Sequence, residues 1–127
     1  MAESYETQIL VIEDDPGLGR VLRMAFSASG FNPTVVPTGE AALQILGRDG
    51  VKAVATDLIL GDGRGRDVLD WLRSHAGNAG SPVWVVMSSM DQQDATQKFG
   101  PLGDHFMSKP LDPWNLVGLV KRLLEPA

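Results

Sequence analysis

The sequence contains no cysteine, which excludes disulfides and thiolate metal sites. It also lacks any apolar run long enough to cross a bilayer; the longest informative stretch is Val83-Trp84-Val85-Val86-Met87. Residues Met1 to Thr7 are short and polar and carry two glutamates, so they do not form a secretory signal. Basic residues are in deficit, with 11 Lys and Arg against 16 Asp and Glu. The resulting net charge of −5 argues against nucleic-acid binding through this domain's own field. No internal repeat or low-complexity tract is present. These absences point to a single domain over residues 1–127, with its core about 8–125, in the cytoplasm and off the membrane.

What is present is ordinary for a globular chain: 43% hydrophobic and 21% charged residues over a length of 127. Short apolar runs alternate with segments of helical period. Gln8 to Ile12, Phe31 to Val36, Val51 to Thr56, Val83 to Met87 and His105 to Ser108 read as strands. The first helix has Leu18, Val21, Leu22, Ala25 and Phe26 on one face and stops at Gly30. Thr38 caps a second, with Ala42, Leu43, Ile45 and Leu46 apolar. A third turns Val68, Leu69 and Leu72 inward. The last starts at Asp112-Pro113 and carries a stripe of Leu116, Val117, Val120, Leu123 and Leu124. Between them Ser89-x-x-Gln92 could open a capping box, but Asp91 to Lys98 offers only Ala95 as an apolar position before Gly100-Pro101. That segment is expected to be a short, poorly anchored helix or a mobile loop. Strand and helix in alternation imply an α/β fold, a parallel sheet with helices on both faces.

In such sheets chemistry collects at the carboxyl ends of the strands. Glu13, Asp14 and Asp15 follow the first strand and Asp57 the third. Ser88 and Ser89 follow the fourth, and Lys109-Pro110 the fifth. Three or more carboxylates would then face one ammonium group. Clustered carboxylates repel unless they are protonated or paired with a cation. An all-oxygen cluster that leaves room for water suits Mg²⁺. A carboxylate can also attack phosphorus, and transfer to it needs charge neutralisation, which a divalent ion and a lysine supply.

With these residues the chain resembles, nearly end to end, the receiver domains of two-component response regulators. The resemblance rests on Ile9-Leu10-Val11-Ile12-Glu13-Asp14-Asp15, on Asp57-Leu58-Ile59-Leu60 with Gly65 eight residues after the aspartate, on Pro82, and on Lys109-Pro110. It implies a doubly wound, five-stranded, flavodoxin-like sheet of order 2-1-3-4-5. It implies Asp57 as phosphoacceptor and Lys109 as the partner of the phosphoryl group. Mg²⁺ would be held by Asp57, by Asp14 directly, by Glu13 directly or through water, and by the backbone carbonyl of Ile59. The Lys109-Pro110 peptide is expected to be cis. The implied partners are a histidine kinase or phosphotransfer protein and a downstream target or output domain, with phosphorylation-dependent homodimerisation left open.

Three features depart from the family pattern. Met87 stands at the usual switch Thr or Ser, and a thioether donates no hydrogen bond. Either Ser88 takes the role through a one-residue bulge or hydroxyl-driven switching is lost. Phe106 occupies the position of the switch aromatic and has no hydroxyl. Gly61 replaces a usual proline, so the glycine-rich loop to Gly65 is expected to be more mobile.

Bland readings stand beside these. Asp14 or Asp15 also suits capping of the first helix, Asp62 reads as solvated, and His75 and His105 have no companion ligands. Trp84 reads as core. One rival function is a degenerate receiver that docks proteins without phosphorylation. Another is a small Mg²⁺-dependent phosphatase, which the aliphatic Ile59 opposes because such enzymes place a carboxylate there.

Overall fold

Five short strands run in one direction through the molecule, each followed by a helix. The computed structural model describes residues 7–48 and 50–125. In chain order the elements are β1 (Thr7–Ile12), α1 (Pro16–Ala28), β2 (Phe31–Val36), α2 (Gly39–Leu46), β3 (Ala53–Asp57) and α3 (Gly65–His75). Then come β4 (Val83–Ser88), α4 (Gln92–Phe99), a 3-10 turn over Gly103–His105, β5 (Phe106–Ser108) and α5 (Pro113–Leu124). All pairs are parallel and the strand order is β2-β1-β3-β4-β5. The winding reverses beside β1: β2 lies on one side of it and β3 on the other. That reversal opens a crevice at the carboxyl ends of β1 and β3.

The two-residue period of the strands sorts the core into two layers. Leu10, Ile12, Val54, Trp84 and Val86 face Ala42, Leu46, Val68, Leu69, Leu72, Ala95 and Phe99 of α2, α3 and α4. Ile9, Val11, Ala53, Ala55, Val85 and Met87 face Leu22, Ala25, Phe26, Leu116, Val117 and Val120 of α1 and α5. Because both faces are covered, the strands read as unbroken apolar runs. Trp84 is buried, as its place inside β4 suggests.

Two helices start with the same device. Asp15 accepts from the Gly17 N–H ahead of Pro16, and Asp112 accepts from the Trp114 N–H ahead of Pro113. Thr38 caps α2 by accepting from the Ala41 N–H. Each such cap contributes about 1 kcal/mol.

Some expectations need correction. Val21 is 46% exposed. At about 100° per residue it sits at the edge of the stripe formed by Gly19, Leu22, Ala25 and Phe26. β3 begins at Ala53 rather than Val51 and takes in Asp57, while β5 begins at Phe106 because His105 closes the 3-10 turn. α4 is capped by Asp91, which accepts from Gln93, and not by Ser89. Nor is α4 poorly anchored. Ala95 and Phe99 are buried, and α3 supplies two arginines to its carbonyl end. Arg66 donates to the Lys98 carbonyl at 2.7 Å and its guanidinium lies 4.8 Å from the Phe99 ring centroid. Arg73 donates to the carbonyls of Phe99 and Pro101. Guanidinium groups there satisfy otherwise unpaired carbonyls and suit the negative end of the helix dipole. The attachment is long-range, so the segment's own composition could not reveal it.

The α1 correction is testable. Phe26 is fully buried and meets Phe31 edge to face, with centroids 5.2 Å apart. Phe26→Ala should lower the unfolding free energy by about 3–5 kcal/mol in a urea titration. Val21→Ala should stay within about 0.5 kcal/mol of the parent. Comparable losses for the two would mean that α1 buries a different face.

Candidate functional site

Glu13 extends β1 by one residue, and its N–H donates to the Val36 carbonyl at 3.0 Å. This places its carboxylate at the mouth of the crevice, 3% exposed. Asp57 ends the central strand β3 and is 7% exposed. Asp14 follows Glu13 and is exposed. Carboxylate oxygens of Glu13, Asp14 and Asp57 lie within 4.8 Å of one another.

One cation reaches into this set. Lys109 Nζ donates to Glu13 Oε1 at 2.6 Å and to Asp57 Oδ2 at 2.7 Å. Its backbone is held by its N–H, which donates to the Ser88 carbonyl at 2.8 Å, and the Lys109-Pro110 peptide is cis as expected. Backbone donors meet the second oxygens of Glu13 and Asp57 and one oxygen of Asp14. Asp15 N–H donates to Glu13 Oε2 at 3.1 Å, and Ile59 N–H to Asp57 Oδ1 at 3.0 Å. Gly61 N–H donates to Asp14 Oδ2 at 2.9 Å. That last bond depends on a departure noted in the sequence: a proline at residue 61 would have no N–H to give.

The electrostatics follow from burial against pairing. Burial pushes the Glu13 carboxyl above its ordinary value; the Lys109 hydrogen bond, the Asp15 N–H and the Lys109 charge pull it down only in part, and the Asp57 charge adds to the rise. For Lys109, burial works against the charge, but the hydrogen bonds to Asp57 and Glu13 and their charges hold the ammonium above the usual lysine value. Three carboxylates facing one ammonium leave the pocket with surplus negative charge. All its side-chain donors are oxygens, which fits a hard divalent cation such as Mg²⁺.

Strand register fixes where Met87 and Ser88 lie. Asp57 pairs with Met87 across β3 and β4, and Met87 and Ser88 pair with Met107 and Ser108 in unbroken register. The one-residue bulge considered for Ser88 is therefore absent. Paired residues share a face, so fully buried Met87 lies on the Asp57 side and Ser88 points to the opposite one. The Ser88 hydroxyl accepts from the Met90 N–H at 3.0 Å. Phe106 is half-buried and pairs with Val86, and the Ile59 side chain is 51% exposed.

Asp62 is exposed, in keeping with its solvated reading, but its hydrogen bonds were not legible in the sequence. Its carboxylate accepts from the N–H groups of Gly39, Glu40 and Arg64 at 3.2, 3.1 and 3.2 Å. Desolvation raises its carboxyl, but the donors at Glu40, Gly39 and Arg64 together hold it below the ordinary aspartate value. The loop after β3, expected to be loose because of its glycines, is thus tied at both Gly61 and Asp62. Gly65 serves close packing: a Cβ there would lie 1.9 Å from the Leu58 carbonyl oxygen. His75 stacks on Trp71 and His105 on Trp84, with centroids 3.8 and 4.0 Å apart, consistent with their bland reading.

Comparison with known proteins agrees with this geometry. The family model for the response regulator receiver domain matches residues 9–121. The chain is 30% identical over 123 residues to the probable transcriptional regulatory protein TcrX of Mycobacterium tuberculosis, covering 97% of this chain and 52% of that protein. It is 34% identical over 104 residues to the transcriptional regulatory protein KdpE of the same organism, covering 82% of this chain and 45% of that protein. The chain thus spans about half the length of the curated relatives it matches. Among solved structures, a sensor protein from Polaromonas superposes with a TM-score of 0.76 at 27% identity, covering 94% of this chain and 97% of that one. The chemotaxis response regulator CheY4 of Vibrio cholerae superposes with a TM-score of 0.79 at 15% identity, covering 94% and 100%, a likeness of fold alone. The pocket at the crevice, the strand order and the family match converge: this chain belongs to the response regulator receiver domain family.

Proposed function

We propose that this receiver takes a phosphoryl group onto Asp57 from the phosphohistidine of a kinase or phosphotransfer protein. The observation that carries the reading is the meeting of Glu13, Asp14, Asp57 and Lys109 at one strand edge. Asp57, Asp14 and Glu13, with the Ile59 carbonyl, would hold Mg²⁺, which neutralises charge on the phosphoryl oxygens when bound. A carboxylate oxygen of Asp57 attacks phosphorus, the phosphorus–nitrogen bond breaks, and the histidine leaves with the electron pair. Lys109, already bonded to Asp57 Oδ2, is placed to move its charge onto the incoming oxygens. A depression lined by Asp15, Leu18, Ser89, Lys109, Pro110 and Leu111 leaves room beside Lys109 for the donor.

The product is a labile mixed anhydride, as a resettable signal requires. With Met87 beside Asp57, no hydroxyl at that position reaches the phosphoryl group. The response then passes through Lys109 and the backbone donors of the β3–α3 loop to a partner or output segment. The relatives TcrX and KdpE are described as transcriptional regulators. With a net charge of −5, DNA contact would belong to an output segment and not to this domain. No helix among the described residues is long and apolar enough to cross a membrane.

Intact mass after incubation with acetyl phosphate should show a single phosphoryl adduct on the parent, dependent on Mg²⁺ and absent from Asp57→Asn. An adduct of equal yield on Asp57→Asn would remove the assignment.

Lys109 also sets the pocket's stability. Lys109→Ala leaves Glu13 and Asp57 without their cation and should cost about 3–5 kcal/mol at pH 7 in metal-free buffer. Glu13 then loses the interaction that lowers its pKa, so its carboxyl rises further. A raised carboxyl favours the folded state at low pH and loses that contribution as pH rises through the folded value. The loss should therefore shrink as pH falls toward the ordinary carboxylate range, read by urea unfolding at pH 7 and pH 5. An equal loss at both would contradict this account.

A further inference from the structure

Asp62 has no part in the phosphoryl-transfer chemistry, yet its carboxylate ties the β3–α3 loop to the start of a distant helix. Two of its three donors, Gly39 and Glu40, are the first residues of α2 and lie 23 and 22 residues away in sequence. The third donor, Arg64, lies in its own loop. The approach is close: a Cβ on Gly39 would lie 2.4 Å from Arg64 Cβ, so residue 39 must be glycine for the loop to seat against α2. The residues just before Asp62 face the acidic pocket, with Ile59 N–H on Asp57 and Gly61 N–H on Asp14. Gly61 also has little slack, since a Cβ on it would lie 3.3 Å from Asp14 Oδ2. The loop is therefore held at the carboxylates on one side and, through one exposed side chain, at a helix start on the other.

We propose that Asp62 is a positioning residue for the metal and phosphoryl pocket. By tying the loop to the N-terminus of α2, it fixes the Gly61 and Ile59 N–H groups against Asp14 and Asp57. One oxygen of Asp14 is thereby occupied by backbone and the other left for a cation. The inference rests on the Asp57 and Mg²⁺ reading for its functional consequence, but not for its geometry.

The test uses the whole chain with three variants. Asp62→Ala removes all three bonds, Asp62→Asn removes the charge and keeps one carbonyl oxygen, and Thr38→Ala removes a cap from the same helix end without touching the loop. Two quantities are read: amide hydrogen exchange at Ile59 and Gly61 without metal, and Mg²⁺ affinity by calorimetry. Asp62→Ala should exchange at both amides roughly tenfold faster than the parent. It should also bind Mg²⁺ roughly tenfold more weakly, the scale at which supporting groups act on a metal site. Asp62→Asn should recover most of both, and Thr38→Ala should change neither. Parent-like exchange in Asp62→Ala would overturn the inference. So would equal losses in Thr38→Ala, or an Asp62→Asn as poor as the alanine variant, which would point to charge alone. If the parent itself binds no Mg²⁺, the Asp57 reading fails and the exchange rates alone decide the role of Asp62.

Discussion

A single ammonium group shared between two buried carboxylates holds the working end of this molecule together. Lys109 comes from the residue after β5, Glu13 from the residue after β1, and Asp57 from the end of β3. Their contacts at 2.6 and 2.7 Å tie the middle of the sheet to its far edge. Removing carboxylates from water without a partner would cost several kcal/mol. The cation offsets that cost only in part, as the raised Glu13 carboxyl shows. The pocket is left with a residual demand for positive charge, and that demand is what makes it a site. A fully neutralised cluster would have no use for Mg²⁺ or for a phosphoryl group that arrives with it.

Of the three departures from the family pattern, Met87 and Gly61 lie at this pocket, and the second is compensated. Met87 puts a buried thioether where a hydroxyl usually stands, so the β4 end is packed rather than poised. Gly61 gives up the stiffness of proline and gains an N–H for Asp14. The loop that this exchange would loosen is fastened instead by Asp62 to α2, while α4 is fastened by Arg66 and Arg73 of α3. Neighbouring helices thus brace both the β3–α3 loop and α4. Any conformational response must work against those braces.

Most of the fold was legible because its causes are local. Buried parallel strands show as apolar runs, and Asp15-Pro16 and Asp112-Pro113 announce their helices. The pocket was legible through topology, since residues after strands β1, β3 and β5 must share one edge once the sheet is parallel. What escaped the sequence is long-range. Asp62 bonds across 22 and 23 residues, and Arg66 and Arg73 reach the carbonyl end of α4 across 32 and 26 residues only because α3 packs beside it. The Ser88 bulge was open to sequence reasoning because one inserted residue leaves no compositional trace. Only the register of Met87 with Asp57 and Met107 removes it. Val21 was misplaced for a simpler reason: it sits at the margin of the apolar stripe on α1, where period alone does not separate core from surface.

The proposed role of the pocket requires a cation site built from these particular carboxylates. A Mg²⁺ titration followed by amide NMR shifts tests that most directly, because it locates the ion without needing a phosphodonor. Saturable shifts centred on Glu13, Asp14, Asp57 and Ile59, abolished in Asp57→Asn, are the predicted result. Saturable shifts centred elsewhere, or none at millimolar Mg²⁺, would contradict it.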